Sequence, residues 1–468
     1  MDASREVEIK LGVPEGFVAP HLVDVSGVDR VAVRTLRLRA TYWDSEDRRL
    51  AGGGLTLRHR TGEGRPRWTL KTASTATSGG LDREEINVPG PGTRVPTALQ
   101  DLVSARLLGA ELRPLAQVRT LRATTLLFDL EGHELVEVVD DTVTVLRDGD
   151  VVDGWHELEV EQRPGGGKVA RRVLTALRKA GATDVDQTPK GIRALGGAGP
   201  SLPEPPEVEA AGDLVRASLA RGLRSLVEHD VAVRRGLPDG VHQMRVACRR
   251  LRSDLRTFAE LVADDRVRPL RDELSWLADA LGAARDLEVM RERLHVRAHE
   301  GDRLDVRPVD ALLADQQEQA VSEALDALRS ERYLSLLRLL HDLAGATRLA
   351  ERAAQPASVV VPGVVAAAQQ RLRKAVRRLA ADGPDRNWHK ARIKAKRARY
   401  AAEAAGMSAK PAKKLQTVLG DHQDAVVAAE RLLSIAAEHP ELAVLAARLA
   451  ERERVVAASI RSSFLTRR

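Results

Sequence analysis

Five short segments of this chain alternate polar or ionisable with apolar residues in a way that gathers charge on one side. In a strand, residues i, i+2 and i+4 share a face, so Glu6, Glu8 and Lys10 project together, as do Glu157, Glu159 and Glu161 near residue 160. Between them the same arithmetic joins Arg58 with Arg60, Thr69 with Lys71, and Arg83 with Glu85. Clustered carboxylates are hard oxygen donors suited to Mg²⁺ or Mn²⁺. Arg and Lys grip phosphoryl oxygens. Taken singly, each strand also fits the solvated outer face of a half-buried sheet. The grouping, acidic triplets first and last with basic pairs between, favours a metal-and-phosphate site.

A second constellation comes from comparing the later half with itself. V-H-Q-M-R-V-A-C-R-R-L-R begins at Val241 and W-H-K-A-R-I-K-A-K-R-A-R at Trp388. His242, Arg245, Arg249, Arg250 and Arg252 thus line up with His389, Arg392, Lys396, Arg397 and Arg399. Each block is followed by a matching piece, A-L-G-A-A-R-D around Gly282 and Asp286 and V-L-G-D-H-Q-D around Gly420 and Asp424. On a helix, positions i, i+3, i+7 and i+10 stay within roughly 80° of one another. His242, Arg245, Arg249 and Arg252 therefore form one stripe, extended by Arg256, and His389, Arg392, Lys396 and Arg399 form the other. Neither stripe contains an acid, so both call for an anion. One His per stripe and no Cys argue against a metal site there.

The elements that must position these residues differ between the halves. Period-2 alternation predicts strands over Arg5–Leu11, Leu55–Arg60, Arg67–Thr72, Arg83–Val88, Arg119–Asp129, Leu135–Val139 and His156–Gln162, with helices over Thr97–Leu107 and Lys168–Ala180. The stretch Gly196–Gly212 is rich in Gly, Pro and Glu and reads as a linker. Beyond it Ala, Leu, Arg and Glu dominate with 3.6 periodicity, which predicts an all-helical domain. The expected fold class is α+β multidomain: an antiparallel β domain over 1–197, a linker over 198–212, and a helical domain over 213–468.

The 468 residues carry a net charge of +7, yet the first 200 hold 28 Lys and Arg against 29 Asp and Glu, so the excess lies in the second half. The partner of that half is expected to be anionic. Aromatic residues make up 3% and are not interleaved with the basic clusters, which favours phosphate over nucleobase and argues against nucleic acid. The single cysteine, Cys248, excludes an intramolecular disulfide and any cysteine-rich zinc site. No apolar run suits a bilayer span, and the first ten residues lack the apolar stretch of a secretory signal. No membrane partner and a cytoplasmic location are expected.

V-E-I-K-L, with Glu6, Glu8 and Lys10, resembles the E-x-E-x-K signature of the CYTH, or triphosphate tunnel metalloenzyme, family. L-T-L-R-H-R, W-T-L-K, R-E-E-I, V-R-T-L-R, V-V-D-D-T-V, W-H-E-L-E-V-E and T-P-K-G resemble its successive stations over about the first 195 residues. The resemblance implies a closed or nearly closed antiparallel barrel with a charged tunnel. It implies divalent metal on Glu6, Glu8, Glu159 and Glu161, with Glu85, Asp141 and Glu157 as further acidic candidates. Triphosphate would then meet Lys10, Arg58, Arg60, Lys71, Arg119, Arg122 and Lys190. Register leaves open which of Glu157, Glu159 and Glu161, and which of Arg119 and Arg122, face the tunnel.

The duplicated basic helices resemble the CHAD domain, the conserved histidine α-helical domain. That resemblance spans about Glu207–Arg468 and implies two pseudo-symmetric helical bundles that bind inorganic polyphosphate through both stripes, with Arg250, Arg397, Lys390 and Lys394 as weaker contacts. Together the two resemblances imply hydrolysis of inorganic triphosphate, and collection on polyphosphate granules. The alternatives are a non-catalytic polyphosphate-binding protein, or a tunnel acting on thiamine triphosphate or a nucleotide, including ATP cyclisation.

Overall fold

The computed structural model describes residues 2–64, 66–73, 75–77, 80–185, 188–299 and 303–466, with the side chains of 2–7 and 75–82 outside the description. The chain divides into two compact units, Met1–Leu202 and Pro203–Arg468.

Among the described residues the first unit holds ten strands: β1 (Asp2–Gly12), β2 (Arg30–Asp44), β3 (Thr56–Thr61), β4 (Arg67–Lys71), β5 (Thr75–Thr77), β6 (Gly80–Pro89), β7 (Arg113–Phe128), β8 (Glu134–Arg147), β9 (Asp150–Gln162) and β10 (Thr183–Asp184). Its helices are α1 (Thr97–Leu107), α2 (Gly167–Lys179) and α3 (Lys190–Ala194). Eight of the strands close a ring in the order β1-β9-β8-β7-β2-β3-β4-β6, because β1 pairs at both edges. Its first part, from Asp2 opposite Asn87 to Glu8 opposite Leu81, lies on β6. Its second part, from Glu8 opposite Glu161 to Gly12 opposite Glu157, lies on β9. Closure removes the exposed edges an open sheet would carry.

The barrel inverts the usual distribution of polarity, since most of its inner face is charged. Apolar residues therefore gather outside it and at one end. Outside, Val169, Val173, Leu174 and Leu177 of α2 pack on Val136, Val138, Leu158 and Val160 of β8 and β9 and on Leu11 of β1. At one end, Ile192, Ala194 and Leu195 pack on Ala40, Val118, Val143 and Val145, so α3 stops that end with an apolar plug. Gly191 permits the fit: a Cβ there would stand 2.5 Å from Cε1 of Tyr42 and 2.8 Å from Cγ2 of Thr56.

The second unit is helical among its described residues: α4 (Ala211–Arg234), α5 (Gly240–Thr257), α6 (Val267–Ala280), α7 (Gly282–Ala298), α8 (Arg307–Arg329), α9 (Glu331–Ala346), α10 (Ala357–Val376), α11 (Asp385–Ala404), α12 (Lys410–Glu438) and α13 (Ala443–Thr466). Helix α4 starts at Ala211, so the last two residues of the expected linker belong to its first turn, where the Ala210 amide donates to Asp213 at 2.9 Å. The duplication is visible in the helices. The first copy runs α4, α5, α6 with α7, then α8; the second runs α10, α11, α12 and α13, with α12 unbroken where the first copy divides at Gly282. Helix α9 is an addition that packs on α4. The copies meet along α5 and α11. They also share a core in which Met290, Leu294, Val309 and Leu313 meet Leu432, Ile435, Leu449 and Ala450.

Candidate functional site

Strand register decides which charges enter the barrel. On β9 the cross-strand partners of Glu157 and Glu161 are Asp141 and Glu137 of β8, so these acids share the inner face with Glu159. Glu159 and Glu161 line a cavity of about 280 Å³, while Glu157 and Asp141 lie deeper, Asp141 being fully buried. On β7, Thr120, Arg122 and Thr124 point inward and Arg119 is exposed on the outer face. Arg119 is thus separated from the other expected phosphate contacts by the alternation that brings Arg122 in. Lys10, Arg58, Arg60, Lys71, Glu85 and Lys190 all line the cavity. Glu8 is buried beside it and ion-paired to Arg83. The side chain of Glu6 lies outside the described residues; its backbone is opposite Arg83.

Counting round the eight-strand ring, β9 stands opposite β3 and β8 opposite β4. The carboxylates of β8 and β9 therefore face Arg58, Arg60 and Lys71 of β3 and β4 across the cavity. Within the acidic wall, carboxylate oxygens of Asp141, Glu157 and Glu159 all lie within 4.8 Å of one another. Three hard donors at that spacing fit Mg²⁺ or Mn²⁺. Here they hold Lys190, the first residue of α3, whose Nζ pairs with Asp141, lies 3.0 Å from Glu157 and 3.6 Å from Glu159. Arg122 braces Asp141 with two donors, Nε at 2.8 Å and Nη2 at 2.6 Å, and Lys10 reaches Glu159 at 3.3 Å.

The ionisation of this wall follows from those contacts. Burial alone would lower the Lys190 ammonium, but Glu159, Asp141 and Glu157 outweigh it and its pKa is raised. Lys10 behaves likewise, with Glu159 and Glu157 overcoming burial. Burial raises Glu159, yet Lys190, Lys10 and Arg122 hold it well below the usual carboxylate range. The basic wall is less well matched. Burial and the neighbouring Arg58 both lower Arg60, with Glu63 at 2.6 Å giving partial relief.

Several lining residues lie beyond those expected from sequence: Arg34 and Tyr42 of β2, Glu63, Arg67, Glu137 and Arg163. Arg163 continues the i+2 series of Glu157, Glu159 and Glu161, so its signal was present. Strand β2 places mostly Leu, Ala and Tyr inside, so its sequence carries little of the charge alternation that marks the other lining strands. The Tyr42 hydroxyl is raised by burial but brought down overall by Arg58, Lys190 and Lys71.

In the second unit the two stripes converge where α5 meets α11. The Arg249 Nε donates to Tyr400 Oη at 3.4 Å. Burial, then Arg392 and Arg249, push Lys396 down to about 7. Burial likewise lowers Arg392, and Arg249 adds to it. The matching pieces that follow each block serve one purpose. Asp286 reaches Arg245 at 3.5 Å and Asp424 reaches Arg392 at 3.4 Å, steadying one arginine per copy from the neighbouring helix. Gly282 allows that approach, since a Cβ there would meet Arg245 Nη1 at 2.7 Å. His242 lies beside the patch, lowered by partial burial and by Arg285 and Arg249. His389 is exposed with Nδ1 3.0 Å from Gln423 Oε1, and Arg252 is half-buried further along α5. Arg399 is spent on Glu403 at 2.6 Å. Arg250 and Arg397 leave the patch for separate grooves. Burial pushes the Cys248 thiol up to about 12, so no reactive thiolate adjoins the patch.

A charged barrel built on E-x-E-x-K and a duplicated basic helical unit define the class. The CYTH domain matches residues 4–192 and the CHAD domain residues 217–433. The chain belongs to the family of proteins that join an N-terminal CYTH domain to a C-terminal CHAD domain. It is 34% identical over 463 residues to the uncharacterized protein Rv2226 of Mycobacterium tuberculosis, covering 92% of this chain and 88% of that one. Among solved structures it is similar to PptA from Streptomyces chartreusis, at 24% identity over 55% of this chain and 98% of that chain with a TM-score of 0.48. It is also similar to the CHAD domain from the plant Ricinus communis, at 27% identity over 56% and 93% with a TM-score of 0.47. CYTH enzymes act on triphosphates and are generally dependent on divalent metal. No described helix is long and apolar enough to cross a membrane.

Proposed function

We propose that the first unit hydrolyses inorganic triphosphate to pyrophosphate and phosphate with Mg²⁺ or Mn²⁺, and that the basic patch of the second unit binds long-chain inorganic polyphosphate. The observation that carries the enzymatic reading is the acidic wall of Asp141, Glu157 and Glu159 facing the basic wall of Arg58, Arg60 and Lys71. A pure anion binder gains nothing from the carboxylates, because they repel its ligand. A divalent cation held by Asp141, Glu157 and Glu159 would supply charge neutralisation and polarisation of the phosphoryl group. The chain's own part is to position. Arg58, Arg60 and Lys71 hold the phosphate chain against the opposite wall, Arg122 fixes Asp141, and Lys10 keeps Glu159 anionic. The cavity volume of about 280 Å³ lies at the lower end of small-ligand sites, which favours a bare phosphate chain over a nucleotide.

Phosphate release from inorganic triphosphate, ATP and thiamine triphosphate, each with Mg²⁺ or Mn²⁺, tests the reading. We expect inorganic triphosphate to turn over fastest and Glu159→Gln to lower kcat at least 100-fold, about 2.7 kcal/mol of transition-state stabilisation. Release that is absent from all three substrates, or unaltered by Glu159→Gln, refutes it. For the helical unit, polyphosphate affinity that survives Arg249→Glu with Lys396→Glu refutes the patch.

A further inference from the structure

The duplication of the helical unit provides an internal control for charge. Each copy has a groove between its first two helices, and the two grooves are lined at matching positions. In the first, α4 supplies Ser218, Arg221, Gly222 and Ser225, and α5 supplies Gln243, Val246, Ala247 and Arg250. In the second, α10 and the turn after it supply Arg371, Lys374, Ala375 and Arg378, and α11 supplies Lys390, Ile393, Lys394 and Arg397. The register that matches His242 with His389 matches Gln243 with Lys390, Ala247 with Lys394 and Arg250 with Arg397. Equal spacing on the partner helices matches Ser218 with Arg371 and Ser225 with Arg378. Four neutral positions of the first groove are therefore cations in the second.

The acids run the opposite way. Asp254 lines the first groove and accepts from Ser218 at 2.8 Å, and Glu403 reaches Arg250 at 3.2 Å. Their counterparts in the same register are Ala401 and Arg256. Where Arg250 is paired with a carboxylate, Arg397 has the Arg256 guanidinium as its largest electrostatic influence after burial. The second groove, of about 430 Å³, thus carries six cations, with no acid in its lining and no ion pair to any of the six among the described residues. Burial lowers Lys394, and Arg397, Arg371 and Arg256 lower it further; Arg397 is lowered by burial and then by Arg256, Arg271 and Arg371. The positive charge is mutual and unrelieved.

This groove is not the patch at the α5–α11 seam. At about 100° per residue, Lys390, Lys394 and Arg397 lie roughly 130° round α11 from His389, Arg392 and Lys396. No aromatic side chain lines it, so it offers no platform on which a base could stack. A linear chain of phosphates satisfies it.

We infer that the α10–α11 groove is a second polyphosphate-binding site, separate from the seam patch and confined to one copy of the duplication. The choice of polyphosphate as occupant rests on the function proposed above; the location of the site does not. The test gives the second groove the residues of the first, in the full chain: Arg371→Ser, Arg378→Ser, Lys390→Gln and Lys394→Ala together. These are exposed or half-exposed positions, and a thermal melt verifies folding. Long-chain polyphosphate binding is then titrated over a salt series, beside Arg249→Glu with Lys396→Glu at the seam. We expect affinity to fall roughly tenfold or more and the slope of log K against log salt to become shallower by about 3, one counterion's worth for most of the charges removed. Affinity and slope equal to wild type overturn the inference. If single-stranded RNA loses affinity through the groove variant while polyphosphate does not, the occupant is wrong and the inference fails. Loss in the groove variant with none in the seam variant overturns the seam assignment and leaves the groove standing.

Discussion

Lys190 occupies the point where three carboxylates converge, so the chain supplies its own cation to a site that suits a divalent metal. A divalent metal bound there would compete with Lys190 for the same oxygens. Replacing Lys190 by Met is expected to raise Mn²⁺ affinity several-fold without triphosphate, read by electron paramagnetic resonance, while lowering turnover roughly tenfold or more through the lost phosphate contact. Mn²⁺ affinity unchanged by the substitution would place the metal elsewhere. Lys396 presents a different case. It faces Arg392 on its own helix, Arg249 and Arg245 on α5, and Asp424 on α12, and with burial these bring it to about 7. A bound phosphate favours the ammonium, so polyphosphate affinity should fall as pH rises from 6 through 8, and Lys396→Arg should flatten that fall. Folding runs the other way: the unfolded lysine keeps its proton to about 10.5, so this unit gains stability as pH rises between about 7 and 10.5. A pH-independent binding curve in wild type contradicts the assignment.

At the scale of elements, α7 and α13 are joined through a carboxylate. Glu453 is buried between Arg293 and Arg297, the latter at 3.2 Å. Glu453→Ala leaves two arginines that can partly turn to solvent, so we expect a loss of about 2 kcal/mol in urea unfolding, below the full cost of a stranded buried charge; a loss under about 0.5 kcal/mol would show the pairing to be incidental. The same scale explains what could be read from sequence. Strands carrying charge on alternate positions, such as β1, β3 and β9, announced themselves, and so did the repeated helices α5 and α11. Strand β2 did not, because its inward residues are mostly apolar and only Arg34 and Tyr42 reach the cavity. The sides taken by Arg119 and Arg122 were illegible for another reason: a one-residue slip reverses them, and only pairing with β2 and β8 fixes the register. The grouping of Asp141 with Glu157 depends likewise on a cross-strand pair that local spacing does not encode.

For the whole molecule, each unit has its own core and closes its own backbone hydrogen bonding. Separate chains 1–202 and 203–468 are therefore expected to fold alone, the first keeping triphosphate hydrolysis and the second polyphosphate binding within about threefold of the full chain. A first fragment that folds but has lost more than tenfold in kcat would mean that the helical unit completes the catalytic site. One feature of the barrel also limits what can be done with a long substrate. Because Ile192, Ala194 and Leu195 stop one end, a linear anion could not be threaded through; it would enter by a terminus and leave by the way it came. On the function proposed above, a phosphate cut off at the depth of the acidic wall would stay behind the remainder until that remainder withdrew. The barrel would then act as a socket for chain ends, and any rate on long polymers is expected to follow the number of termini rather than the number of phosphates.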